Sequence, residues 1–135
     1  MNLRTSERKQ AKIKMALQAP SGAGKTYSAL LIAFGITNDW NKVAVIDTEN
    51  GSADLYAHLG SYNVISMKPP YAPESYIEAI EICEKAGIEV IIIDSISHCW
   101  DYLLDFHSSL TGNSFTNWAK VMPRQKAFVD KIFYY

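Results

Sequence analysis

The sequence Ala19-Pro-Ser-Gly-Ala-Gly-Lys-Thr26 lies between an apolar run and a stretch with helical spacing. It fits the phosphate-binding pattern G-x-x-x-x-G-K-[ST], except that Ala19 stands in place of the first glycine. Gly22 and Gly24 permit backbone torsions and a close approach that a side chain would hinder, so successive N–H groups can turn towards phosphate oxygens. A helix that starts here presents unpaired N–H groups and the positive end of its dipole to the same anion. The stretch therefore predicts a phosphate-binding loop that opens a helix.

Individual residues of this loop have expected roles in binding a nucleotide. Lys25 would reach the β- and γ-phosphates as a cation, and the Thr26 hydroxyl would ligate Mg²⁺. The other expected nucleotide contacts are their neighbours Pro20, Ser21, Gly22, Ala23, Gly24 and Tyr27. The alternative is a glycine-rich turn whose Gly-Lys-Thr tripeptide arose by chance. A strand before the loop, a helix after it and an acidic strand tip further on favour nucleotide binding.

Length and composition indicate one α/β domain over residues 1–135. The 135 residues include 48% hydrophobic and 20% charged side chains, which is ordinary for a globular protein. The net charge of −1 provides no global basic field, so contact with nucleic acid would depend on local patches. Cys83 and Cys99 lack metal-ligand spacing and are expected to be buried, reduced thiols of a cytoplasmic protein. No signal peptide or membrane span is recognisable.

Residues 1–11 form a polar arm that carries several basic side chains. The favoured interpretation is a frayed terminal segment. The alternative is a basic patch that contacts nucleic acid or a neighbouring subunit. That patch would consist of Arg4, Arg8, Lys9, Lys12 and Lys14.

Four stretches have the patterns of strands. Residues 12–18 alternate loosely, 43–47 and 89–94 are rich in β-branched apolar residues, and 63–67 reads as an edge strand. Helical spacing occurs over residues 26–36, 54–59, 73–86, 96–110 and 115–133. This alternation predicts an α/β fold of the three-layer P-loop type, with a mostly parallel sheet of four or five strands.

Acidic residues follow two of these strands. Val90-Ile-Ile-Ile-Asp94 predicts a buried central strand with a carboxylate at its tip, and Val43-Ala-Val-Ile-Asp47 is followed by Thr48-Glu49. The carboxyl ends of parallel strands form the ligand-binding edge of an open α/β sheet. With the phosphate loop upstream, Asp94 is expected to hold Mg²⁺ in the Walker B role. The alternative is an ordinary strand that ends at a turn-forming Asp-Ser.

With these motifs placed, the chain resembles the RecA-like P-loop ATPases, and among them the phage-encoded AAA-family nucleotide-binding proteins. The resemblance covers residues 12–102 and depends on the blocks Ala19–Thr26, Val43–Ser52 and Val90–Ser97. Asn113–Trp118 and Pro123–Arg124 are similar to the phage group as well, but are weaker evidence. The resemblance implies ATP and Mg²⁺ as ligands and an ATPase coupled to DNA recombination or replication. Single-stranded DNA, a DNA-processing protein and further copies of the chain are the implied partners.

The expected catalytic residues are Glu49 and Lys25. Glu49 matches the position at which RecA-like enzymes carry a glutamate that polarises the attacking water. Hydrolysis also requires a proton acceptor near the γ-phosphate that is not committed to the metal. Asp47 is the competing candidate, although it would sit deeper and brace the loop.

Three further side chains have open roles. Arg124 is the only arginine outside the arm and hence the sole candidate for an arginine finger, but a solvated helix residue is the favoured alternative. His98 and His107 lie beside apolar helix residues, where a histidine is more often packed or exposed than a ligand.

Two other functions remain open alongside the DNA-coupled ATPase. A small-molecule kinase would need several arginines around a second phosphate site, whereas this chain has one outside its arm. A nucleotide-gated binding or assembly module with little turnover is the third possibility.

The stretch after Asp94 lacks the pattern of a strand that RecA-like domains have there. Such domains place a further strand between the P-loop strand and the Walker B strand, yet residues 95–135 contain no β-branched apolar run bounded by turns. The chain is therefore expected to be a truncated or divergent family member. Either strands 12–18 and 89–94 pair directly or another chain fills the gap, and hydrolysis should be weak.

Overall fold

The computed structural model describes residues 1–8, 11–20 and 22–134. Three parallel strands form one sheet in the order β2-β1-β3, with β1 at Val43–Asp47, β2 at Asn63–Ser66 and β3 at Val90–Asp94. The register pairs Asp47 with Ser66 on one side and with Asp94 on the other. Because all three strands run the same way, their carboxyl ends meet at one edge of the sheet.

Helices connect and cover these strands. The α-helices are α1 (Lys25–Thr37), α2 (Pro73–Lys85), α3 (Ser97–Ser109) and α4 (Ser114–Phe133), and short 3-10 helices span Trp40–Lys42 and Ser52–Leu59. Two asparagines mark helix ends. Asn38 follows α1 in the left-handed conformation at φ 52°, and Asn113 caps α4 by accepting from the Phe115 N–H at 2.9 Å.

The sheet separates two layers of apolar side chains. On one face Leu30 and Ala33 of α1 pack with Val43 and Val45, all of them at most 1% exposed. On the other face Tyr76 and Ile80 of α2 form a cluster with Ile46 of β1 and Phe128 of α4. All five residues of β1 are buried, which confirms the prediction of a strand covered on both faces.

The predicted strand over residues 12–18 is wrong, because the structure has no strand there. Residues 11–18 are exposed, and the apolar positions Ile13, Met15 and Leu17 are 66%, 60% and 44% accessible. A strand exists only when a neighbour pairs its backbone groups, and no strand in the described part of the chain takes that place. The alternation of apolar and polar residues over 12–18 therefore does not suffice to form a strand.

The prediction that β3 is a buried central strand is also wrong. β3 pairs only with β1 among the described residues, and all five of its residues are half-buried. Within the described part of the chain the sheet accordingly has three strands rather than the four or five expected. One β3 edge is left uncovered by any described strand.

The expectation that no strand follows Asp94 is confirmed for the described residues, since that stretch forms α3 and α4. Direct pairing of residues 12–18 with β3 is absent from the described structure. Filling of the gap by another chain stays a prediction.

Some apolar side chains in the helices are exposed rather than packed in the core. Leu31 of α1 and Leu104 of α3 are 46% and 38% accessible, whereas Leu30 and Leu103 are fully buried. Helix α4 continues through Pro123, although proline removes a backbone donor inside a helix.

Candidate functional site

The glycine-rich loop adopts torsions that favour glycine. Gly22 and Gly24 have φ angles of 81° and 89°, and the Ala23 N–H donates to the Pro20 carbonyl at 3.2 Å. A Cβ at either glycine would meet nothing within 4 Å, so the demand for glycine here is torsional rather than steric. Ser21, an expected contact, lies outside the described residues.

Lys25 begins α1 directly after the left-handed Gly24. The residue is half-buried, and no carboxylate in the described chain segments lies within 4.0 Å of its ammonium. A cavity of about 150 Å³ adjoins it and is lined by Leu17, Gln18, Ala19, Ala23, Gly24, Lys25 and Ser28. A cation at a helix N-terminus, beside unpaired N–H groups, forms an arrangement suited to an anion.

Tyr27, another expected contact, lies in the first turn of α1. The residue is 42% exposed, and its ring contacts that of Tyr56 at 5.9 Å between ring centroids.

Thr26 and Asp94 meet across 68 residues of sequence. The Thr26 hydroxyl donates to Asp94 Oδ2 at 2.6 Å, which joins the start of α1 to the tip of β3. A hydroxyl and a carboxylate are oxygen ligands of the kind that Mg²⁺ prefers, and Mg²⁺ in nucleotide sites takes few protein ligands besides phosphates. The described residues hold no group of three or more His, Cys, Asp and Glu side chains that could form a larger metal site. These two residues thus fit Mg²⁺ bound together with phosphate.

Asp47 and Glu49 differ sharply in environment. Asp47 is 2% exposed, and its carboxylate accepts from the N–H groups of Glu49 at 2.8 Å and Ala53 at 3.3 Å, and from the Ser52 hydroxyl at 3.5 Å. These bonds anchor the loop after β1. The Glu49 side chain is 42% exposed and extends beyond the strand tip.

The Glu49 carboxylate is bonded to the segment that follows β3. Its Oε1 accepts from the Ser95 hydroxyl at 3.1 Å and lies 3.0 Å from His98 Nε2. Ser95 is the residue after Asp94, so Glu49 lies beside the tip that binds Thr26. The sequence left the role of His98 open and did not predict its contact with Glu49, although its position one turn after the acidic strand tip was a usable signal.

Thr48 and Tyr76 hold these two strand tips together. The Thr48 N–H donates to the Asp94 carbonyl at 2.8 Å, and the Thr48 hydroxyl accepts from the Ser95 N–H at 2.9 Å. The Tyr76 hydroxyl donates to the Ser95 carbonyl at 2.8 Å. Burial raises the pKa of Tyr76 well above its ordinary value, so this hydroxyl remains a donor.

Arg124 is engaged in a structural contact. Its Nε and Nη2 donate to the two carboxylate oxygens of Glu74 at 2.7 and 2.8 Å, and its guanidinium lies 4.9 Å from the Phe106 ring centroid. This bidentate pair ties α4 to α2, so the expectation of a solvated helix residue is wrong. A guanidinium occupied in this way is not available as an arginine finger within its own chain.

A second and larger concavity lies at the ends of β1 and β2. It has a volume of about 260 Å³ and is lined by Asp47, Asn50, Gly51, Ser66, Met67 and Lys68. The smaller cavity is nevertheless the one that adjoins the glycine-rich loop, where successive backbone N–H groups can form an anion-binding concavity.

The two cysteines are buried free thiols, as predicted. Burial raises the pKa of both, that of Cys99 to about 11, so neither is a ready nucleophile at neutral pH.

A glycine-rich loop at a helix N-terminus, joined to an aspartate at the tip of a parallel strand, defines the class of P-loop nucleotide-binding proteins. Comparison with family models agrees with this class. Residues 11–133 match the AAA_24 family, described as an AAA domain, and the chain belongs to this family of P-loop AAA-type NTPases. No curated protein and no solved structure matches the chain significantly. None of the helices in the described segments is long and apolar enough to cross a bilayer.

Proposed function

We propose that this chain is a RecA-like ATPase that binds ATP and Mg²⁺ at residues 19–26 and hydrolyses ATP slowly. The observation that carries the proposal is the 2.6 Å hydrogen bond from Thr26 to Asp94, which joins the phosphate loop to the acidic strand tip. We further propose that ATP binding or hydrolysis serves DNA recombination or replication in a phage-derived system. The similarity of the sequence to the phage group supports this assignment.

Binding is expected to depend on the loop backbone and on two side chains. The N–H groups around Gly22–Lys25 would surround the phosphates, and Lys25 would contact the β- and γ-phosphates. Thr26 and Asp94 would hold Mg²⁺, which neutralises and orients the phosphate oxygens when it is bound.

Hydrolysis is expected to use Glu49 as the general base. A water oxygen attacks the γ-phosphorus while the bond from that phosphorus to the β–γ bridging oxygen breaks, and ADP leaves with the electron pair. Glu49 accepts the proton of the attacking water. Turnover should be slow, because no strand in the described segments lies beyond β3 to carry the polar residue with which RecA-like domains sense the γ-phosphate.

A second candidate function is a nucleotide-gated assembly module with little turnover. The β3 edge that no described strand covers favours it, because an unpaired strand edge is a template for another chain. ATP hydrolysis measured alone, with single-stranded DNA and with a nucleoside monophosphate separates the candidates. Stimulation by DNA supports the first, phosphate transfer to the monophosphate indicates a kinase, and binding without turnover indicates the module.

The nucleotide site itself is tested by Lys25→Ala. We expect this variant to lose tight binding of ATP·Mg²⁺, because it removes the cation that faces the phosphates. Lys85→Ala is the matched control, since Lys85 is exposed at the far end of α2. Titration calorimetry gives both affinities, and parent-like binding by Lys25→Ala would show that the loop assignment is wrong.

A further inference from the structure

We propose that His98 is a positioning residue that orients the Glu49 carboxylate for its role as general base. This inference rests on the proposed hydrolysis and concerns a side chain that belongs neither to the loop pattern nor to the acidic strand tips. His98 lies in the first turn of α3, and its Nε2 is 3.0 Å from Glu49 Oε1.

The surroundings of Glu49 explain why its side chain needs such a partner. Glu49 lies in the loop that leaves β1, and the next two residues, Asn50 and Gly51, both have positive φ. Asp47 fixes the Glu49 backbone N–H but does not contact its carboxylate. A long, 42% exposed side chain samples several rotamers unless specific bonds restrict it.

Two donors restrict the carboxylate through a single oxygen. An ionised carboxylate only accepts hydrogen bonds, so the proton of His98 must reside on Nε2 in this contact. The Ser95 hydroxyl donates to the same Oε1 at 3.1 Å. Among the described residues no hydrogen bond reaches Oε2. One carboxylate oxygen is therefore held while the other is left to accept a proton.

The His98 ring is itself held in place. It packs against the Tyr71 ring, with 4.9 Å between centroids and 31° between planes. The Tyr71 hydroxyl in turn donates to the Thr48 carbonyl at 3.3 Å, in the residue that precedes Glu49. Tyr71 thus contacts both the histidine and the loop that carries the glutamate. These contacts orient the two side chains before the reaction.

The exposure of the His98–Glu49 pair indicates that the contact orients the Glu49 carboxylate rather than stabilises the fold. The side chains of His98 and Glu49 are 34% and 42% exposed, and pairs so accessible to water contribute little to folding. Loss of the contact should leave the fold and ATP binding intact. It should lower the rate at which a water molecule is deprotonated.

A matched pair of variants tests this role. Glutamine places an N–H₂ donor where histidine has Nε2, whereas asparagine is too short to reach Glu49 from position 98. We expect His98→Asn to lower kcat by about tenfold, part of the effect of a positioned base, with the KM for ATP within about twofold of the parent. His98→Gln should retain most of the parent kcat. The control is His58→Ala, which alters an exposed histidine of the Ser52–Leu59 helix.

A double variant separates a role through Glu49 from an independent one. In a Glu49→Gln background, His98→Asn should cause no further loss of kcat, because the group that it orients is gone. Independent losses that multiply would overturn the proposal. So would equal kcat for His98→Asn and His98→Gln, or a rise in kcat when the histidine is removed. Thermal unfolding of each variant shows whether a lost rate reflects a lost fold, and the His98→Gln result decides the question if His98→Asn unfolds.

Failure of this inference differs from failure of the proposed function. A parent chain that binds no ATP·Mg²⁺ or shows no turnover refutes the ATPase and the role of His98 together. A parent that turns over ATP, with a His98→Asn variant that matches it in kcat, refutes the role of His98 alone.

Discussion

At the scale of single residues, two carboxylates at the end of β1, two positions apart in the chain, have different roles. Asp47 is buried, and its contacts are two backbone N–H groups and a serine hydroxyl of the following loop. Glu49 is partly exposed beside Ser95. The Asp47 carboxylate is 2% exposed and already accepts three hydrogen bonds, so an attacking water has little access to it, which supports the assignment of the base to Glu49.

Glu49→Gln is expected to retain ATP binding and to lose most turnover, by about two orders of magnitude or more, because a positioned base contributes that much. Single-turnover hydrolysis and calorimetric binding measure the two effects separately. Hydrolysis equal to that of the parent would transfer the role to Asp47 or remove it altogether.

Asp94→Asn should act on the metal rather than on the base. Loss of the anionic oxygen near Thr26 weakens Mg²⁺ binding, so we expect the Mg²⁺ concentration required for half-maximal ATP binding to rise by about tenfold or more. The measurement is ATP affinity across a Mg²⁺ titration, with Asp101→Asn of α3 as an exposed control. An unchanged titration would exclude Asp94 as a ligand.

At the scale of helices, the pair of Glu74 and Arg124 connects α2 to α4. The bidentate hydrogen bond from Arg124 holds the pKa of Glu74 below its ordinary value, in spite of partial burial that acts in the opposite direction. Since the unfolded state then binds a proton more readily than the folded one, stability rises with pH through this range. The contribution is present above about pH 4.3, the unfolded pKa of glutamate, and is lost as pH falls through the lower folded pKa.

Glu74→Gln should therefore destabilise the protein at pH 7 and reduce the loss of stability below pH 4.3. The carboxylate is 59% exposed, so the expected difference at pH 7 is only about 0.5–1 kcal/mol. Urea unfolding at several pH values measures it, and Glu78→Gln alters an exposed glutamate of the same helix as a control. Parallel pH profiles for parent and Glu74→Gln would contradict the assigned bond.

At the scale of the whole molecule, no described strand lies beyond β3, and the residues before the phosphate loop are not paired as a strand in the described chain. Within those residues no backbone hydrogen bond involves the amides of residues 13–18. We expect these amides to exchange with solvent rapidly, and those of Val43–Asp47 slowly, because exchange requires an unpaired N–H. Hydrogen exchange followed by mass spectrometry measures both in the isolated chain. Protection of residues 13–18 as strong as that of β1 would show that they form a paired strand.

Much of the fold could be predicted from neighbouring residues alone. The bounds of β1 follow from a run of buried apolar residues that ends at Asp47, and the end of α1 follows from Asn38. The prediction for residues 12–18 failed because alternation specifies only which side chains share a face, not whether a partner strand exists. The helix over 114–133 was predictable from its periodicity, but the bidentate bond of Arg124 was not.

The sequence by itself determined the phosphate loop, the helix that follows it and the acidic strand tips, since these depend on torsions and burial encoded within a few consecutive residues. Only the tertiary structure decided that Thr26 meets Asp94, that His98 contacts Glu49 and that β3 lies at an edge. Each of those pairs is separated by 49 or 68 residues. Contacts over such distances arise from the order and register of the strands, which no local pattern specifies.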